Sequence, residues 1–163
     1  DELDDEYVDR LAFGEEAAAP TDIRDRLAED TVGLLAARAP VEVDAHTSLA
    51  KAIRQMNGHN IGCVMVTDES DALIGIFTER DVLMRVVGVI DDTTTATVGQ
   101  YMTPNPVAVH AGLPIAHALH LMSVYNFRHL PLVDDNKRPI GIISFRDVVR
   151  HLRGTAESDA ASN

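Results

Sequence analysis

Apolar positions alternate between two spacings along the chain. Leu49, Ala52, Ile53 and Met56 recur at i, i+3, i+4 and i+7, which predicts an amphipathic helix, and Ser48 stands where its N-cap belongs. Residues 63–66 form a short unbroken apolar run, the pattern of a strand buried on both faces. A polar turn over 68–71 leads to a second strand that ends at Gly75, Ile76 and Phe77, and a helix is predicted from about 80 to 87. Ahead of these lie an extended stretch at 41–43, after Pro40, and a helical reading over 22–35.

The same order recurs. Shifting the sequence by 66 positions lays residues 31–86 on 97–152 without a gap, and 18 of the 56 pairs are identical. Ile115, Ala118, Leu119 and Met122 repeat the helical face, with Pro114 near its start, where a missing N–H does little harm. Residues 129–133 repeat the strand, and a last helix is predicted from about 146 to 152. The chain is therefore a tandem duplication of a β-α-β-β-α unit, in the α/β class (α+β by some schemes). One such unit of about 56 residues is marginal alone, so the two copies are expected to pack as one pseudo-two-fold pair. The expected divisions are an acidic, partly helical segment at 1–28, repeat one at 29–88, a linker at 89–96, repeat two at 97–153 and a frayed tail at 154–163. Leu3, Tyr7 and Leu11 keep helical spacing within the acidic segment.

Charge changes the picture. With 26 acids against 14 bases the formal charge is −12, which argues against general binding to nucleic acid or to an anionic membrane. Any phosphate-bearing ligand needs local groups to attract it. Cys63 is the one cysteine, so no internal disulfide forms and a reducing, cytoplasmic setting is expected.

The sharpest local pattern is Gly-apolar-x-[Ser/Thr]-x-x-Asp, at Gly75 to Asp81 and again at Gly141 to Asp147. It falls where a strand enters a helix. Thr78 and Ser144 are N-cap residues there, and Asp81 and Asp147 at N3 complete a capping box. The same geometry offers free N–H groups and a hydroxyl to a phosphate, and a carboxylate to ribose hydroxyls. Both readings stand at this point. His117 and His120 are three apart on a helix, close enough to share a metal, but no third ligand accompanies them and a solvated face is favoured. No nucleophile elbow, phosphate-binding glycine loop or zinc-finger spacing occurs, so the chain reads as non-catalytic.

Taken together, the duplicated Gly-x-x-[Thr/Ser]-x-x-Asp, the stretch from Asn126 to Asp134 and the lead-in from Thr97 to Pro106 resemble tandem CBS-domain proteins, the paired arrangement called a Bateman module. The likeness covers roughly residues 30–153. It implies a regulatory role, a homodimer shaped as a flat disk, and an adenine nucleotide (AMP, ADP or ATP), NAD(H) or another adenosyl ligand between the repeats, with no cofactor required. Carried over, Asp81 and Asp147 would take ribose hydroxyls, and Thr78 and Ser144 would lie by the ribose or phosphate. Val41, Val43, Val107, Val109, Val64 and Leu130 would wall the base. Arg128 and His129, ahead of Leu130 and Pro131, would hold phosphate. Repeat one departs from this, with Gly62 and Cys63 in place of the basic pair and Met65 in place of the proline, so unequal clefts are expected. The other reading is a protein–protein adaptor, serving a regulated partner, whose clefts are vestigial.

Overall fold

The computed structural model describes residues 23–35, 37–126 and 128–161, with side chains described up to residue 154. The expected helical spacing at Leu3, Tyr7 and Leu11 lies outside these residues. Helix α1 (Ile23–Glu29) and a 3-10 turn (Val32–Leu34) lead into β1 (Glu42–Asp44), α2 (Leu49–His59), β2 (Cys63–Thr67) and β3 (Leu73–Thr78). A helical turn α3 (Glu79–Asp81) runs on into a π-helical stretch, Val82–Val86. Then follow α4 (Val98–Tyr101), β4 (Thr103–Pro104), α5 (Ile115–Tyr125), β5 (His129–Val133), β6 (Pro139–Ser144) and α6 (Phe145–Ala161). The fold is α+β.

The first sheet has the order β1-β2-β3-β4, with β1 parallel to β2 and the other pairs antiparallel. The second contains β5 and β6, antiparallel. Its outer members are single bridges, Val109 to Leu132 and Arg38 to Ile142. The extended segment expected at 107–109 thus shrinks to one bridge, and the cause is a missing donor. In repeat one the Met65 N–H donates to the Val41 carbonyl at 2.9 Å. The equivalent of Met65 is Pro131, which has no N–H to give. Local devices otherwise repeat. Asp68 and Asp134 each accept two backbone N–H bonds in their turns, and Asn60 and Asn126 end α2 and α5 in the left-handed region, at φ 51° and 53°.

The repeats exchange their leading segments. Thr31 bridges Pro114, and Thr97 bridges Ser48. Val32 and Gly33 donate to the carbonyls of Leu113 and Ala111, while Val98 and Gly99 donate to those of Thr47 and Ala45. One core therefore joins Val32 and Leu35 to Ile115, Ala118, Leu130 and Ile143 of repeat two. The other joins Val98 to Leu49, Ala52, Val64 and Phe77 of repeat one. Reciprocal contacts of this kind are what a two-fold relation produces. They also break the helix expected over 22–35, because the N–H groups of Val32 and Gly33 are committed to the other repeat. At the opposite end, α6 runs through Gly154 to Ala161, beyond the residue at which the last helix is expected to stop. Residues 155–161 hold no proline and three alanines, so nothing in them stops a helix already nucleated.

Candidate functional site: a cleft between the repeats

Strand β6 delivers Ser144 to the first turn of α6, and three residues later Asp147 turns back onto it. Asp147 Oδ2 accepts from the Ser144 backbone N–H at 2.7 Å and from its hydroxyl at 3.0 Å. Thr78 and Asp81 make the same arrangement at the start of α3, at 2.9 and 3.0 Å. Both carboxylates are buried, Asp81 at 8% exposure and Asp147 at 5%. The capping role is therefore real in both copies. It does not exhaust Asp147. A carboxylate has about four acceptor positions. Oδ2 uses two, Oδ1 receives Arg150 Nη1 at 3.4 Å, and one position is left. Because a carboxylate only accepts, the Ser144 hydroxyl spends its hydrogen on Asp147 and keeps only acceptor capacity for a ligand.

A cleft of about 850 Å³ opens beside Asp147. Its walls come from both repeats: residues 38–41 and the start of β2 from the first, the inner side of α5 and the starts of β5 and α6 from the second. Five of the expected site residues line it, namely Val41, Arg128, His129, Ser144 and Asp147. The others do not. Val43 and Val64 are buried in the core of repeat one, and Val109 and Leu130 in that of repeat two, with Pro131 fully buried and Val107 packed against the same core. Their apolarity serves packing, and alternation along a strand sends neighbours to different faces. Thr78 and Asp81 are likewise absent from this cleft's lining. Beside their junction, Arg80 Nη1 reaches across to the Asn126 carbonyl at 3.5 Å, and Arg85 Nε lies 3.8 Å from Asp81 Oδ1.

The cleft's polar walls include residues that sequence spacing passed over. Arg38 and Arg146 join Arg128 as cations, and Glu79 joins Asp147 as an acid. Glu79 and Arg146 occupy the unspecified positions of the Thr/Ser-x-x-Asp motif. A signal for them existed, since a residue one or two places past an N-cap stands at the mouth of the same junction. Arg38 is held by a bond from its Nη1 to the Asn60 carbonyl at 3.4 Å.

His129 occupies the boundary between the repeats. A Cβ placed on Gly62 would lie 2.9 Å from both Cε1 and Nε2 of its ring, so only glycine leaves room for it. Burial pushes the His129 imidazole below its ordinary pKa; the charges of Glu79 and Asp147 oppose that, and Arg128 and Arg38 add to it. Burial, with the Glu79 charge second, pushes the Cys63 thiol up to about 12. The cysteine on this wall is thus an inert, protonated group at neutral pH. Among the described residues no three His, Cys, Asp or Glu converge as metal ligands, and His117 and His120 lie on the exposed side of α5. No helix among them is long and apolar enough to cross a membrane.

Two repeats, a Ser/Thr-linked aspartate in each and a cleft at their junction define a tandem repeat pair. Matches to the CBS domain model cover residues 32–92 and 98–154, and the chain belongs to the CBS-domain family. A 17.7 kDa protein of Acidianus ambivalens is 34% identical over 110 residues, which are 68% of this chain and 65% of that protein. The CBS domain pair of protein MJ0100, solved with 5′-methylthioadenosine and S-adenosyl-L-methionine, superimposes with a TM-score of 0.67 at 28% identity, over 76% of this chain and 96% of that one. CBSX2 in complex with AMP gives a TM-score of 0.66 at 28% identity, over 77% and 97%.

Proposed function

We propose that the chain is a regulatory module that binds an adenine nucleotide or a related adenosyl ligand in the cleft between its repeats, without catalysis. The supporting observation is the free acceptor position on Asp147 beside a group of cations in one cavity. A carboxylate held rigid by its cap suits paired ribose hydroxyls. Arg38, Arg128 and Arg146 supply the attraction for phosphate that a chain of formal charge −12 otherwise denies. The adenosyl ligands in the solved complexes of MJ0100 and CBSX2 favour the same class here. AMP, ADP, ATP and NAD(H) all belong to the proposal. Ligand affinity that differs between two arrangements of the repeats carries the signal to a regulated partner.

Titration calorimetry with a panel of adenosyl ligands tests this. At least one is expected to bind tighter than about 1 mM, roughly 4 kcal/mol, and Arg128→Ala is expected to weaken it. Failure of every member of the panel to bind at that level overturns the proposal. The homodimer belongs to it too, supported by the exposed apolar side chains of Leu83, Met84 and Val87; light scattering reads it directly.

A further inference from the structure

Glu79 is the only acid besides Asp147 among the described residues lining the cleft, and the caps and ion pairs described above do not use it. Its N–H donates to the Gly62 carbonyl at 2.9 Å, which fixes it at the start of α3 against the start of β2. Its carboxylate stays on the same side: Oε2 would lie 3.6 Å from a Cβ on Gly62, the point from which the His129 ring is 2.9 Å away. Glu79 thus stands beside the His129 ring, on the other repeat from the Ser144–Asp147 cap. Two side chains register its field: its charge opposes the fall of the His129 pKa and adds to the rise at Cys63. The repeat-related position holds Phe145, which lines the cleft but carries no charge and is 55% exposed.

We infer that Glu79 is a specificity-determining residue, a negative gate that limits how many phosphates the ligand in this cleft carries. The inference rests on the proposed adenosyl ligand and adds a residue that biases the choice within that class. Three guanidinium groups on the walls of the cleft attract phosphate, and the Glu79 carboxylate on the His129 side repels each added one. Lengthening the tail from one phosphate to three adds about two negative charges, and each meets the charge of the solvent-exposed Glu79, which low salt leaves least screened. Glu79 therefore shifts the balance of affinities away from ATP and toward AMP. Asp147 repels each added phosphate as well, but its charge is shared among three donors. A neutral His129 adds nothing to Arg128 and Arg38 against the Glu79 charge; a protonated one joins them.

The test is a set of dissociation constants for AMP, ADP and ATP, by calorimetry on the full chain near pH 8, at low salt and with chelator to remove divalent cations. Glu79→Gln keeps the shape of the side chain and removes its charge. It is expected to raise ATP affinity about tenfold and AMP affinity by no more than about threefold. Phe145→Glu places a second carboxylate at the related, exposed position and is expected to lower the ATP-to-AMP affinity ratio. Using a ratio removes any loss of contact with the base, which acts on all three ligands equally. A ratio that does not move in Glu79→Gln overturns the inference while leaving the proposed function standing. If Glu79→Gln does not fold, the ratio in Phe145→Glu decides in the same way. If the unsubstituted chain binds none of the three, the inference falls, whereas the reading beneath it falls only when the whole adenosyl panel fails to bind.

Discussion

The N–H of Gly99 donates to the carbonyl of Ala45 at 2.9 Å, and a Cβ on Gly99 would stand 2.8 Å from that same oxygen. Gly33 meets Ala111 in the same way, at 3.0 Å. Backbone cannot withdraw as a flexible side chain can, so Gly99→Ala is expected to destabilise by about 1–3 kcal/mol. Gly58, inside α2, has nothing within 4 Å of such a Cβ. Gly58→Ala is expected to stabilise by about 0.5–1 kcal/mol through helix propensity. Urea denaturation of the two variants measures both signs.

The paired aspartates, each accepting the N–H of the residue that opens its helix, separate a structural duty from a ligand duty. Asp81→Ala and Asp147→Ala each remove a buried cap acceptor, and each is expected to cost about 1–2 kcal/mol. Only Asp147 lines the cleft. Thermal melts are therefore expected to fall alike in the two variants, whereas calorimetry is expected to show lost binding for Asp147→Ala alone. Equal loss of binding in both would mean that helix integrity, rather than contact, governs the site.

His129 makes stability depend on pH. Its folded-state pKa lies below the ordinary value, chiefly through burial. Between the two values the unfolded chain holds more protons than the folded one, so stability rises with pH there and is lost as pH falls below the ordinary histidine range. Melting temperature is expected to drop more between about pH 7.5 and pH 5.5 in the unsubstituted protein than in His129→Gln. Parallel profiles for the two proteins would contradict this assignment.

Cys63, buried and with its thiol pushed up to about 12, is expected to resist alkylation in the folded protein at pH 8. In urea the same residue is expected to react at the rate of a free thiol. Mass spectrometry after timed iodoacetamide exposure reads the difference.

Much of this arrangement was legible in the residue pattern. The 66-residue register, the helical faces of α2 and α5, and β5 at 129–133 follow from periodicity alone, because local burial dictates them. The Thr78–Asp81 and Ser144–Asp147 boxes follow from the needs of a helix start. What periodicity does not carry is the address of a buried face. Val32 and Val98 read as core residues, but nothing local says that each belongs to the other repeat's core. The same limit applies to the cleft. An apolar strand predicts burial at Val64 and Leu130 without saying that core, and not ligand, covers them. Glu79 and Arg146 went unread because a capping motif constrains its first and fourth positions and leaves the two between free. The shrunken strand at Val109 is a different case, since Pro131 was visible but its lost partner, the carbonyl opposite, is a tertiary fact.

The traded leaders have a consequence for how such a molecule is assembled. A half-length chain with a single copy would lack the arm that fills its own interior and would carry one shaped for a twin. It would complete itself only by meeting another, and so only above some concentration. The tether across 89–96 supplies that twin permanently, holding it at an effective concentration on the order of millimolar for a short flexible link, so that the interlock closes at any dilution.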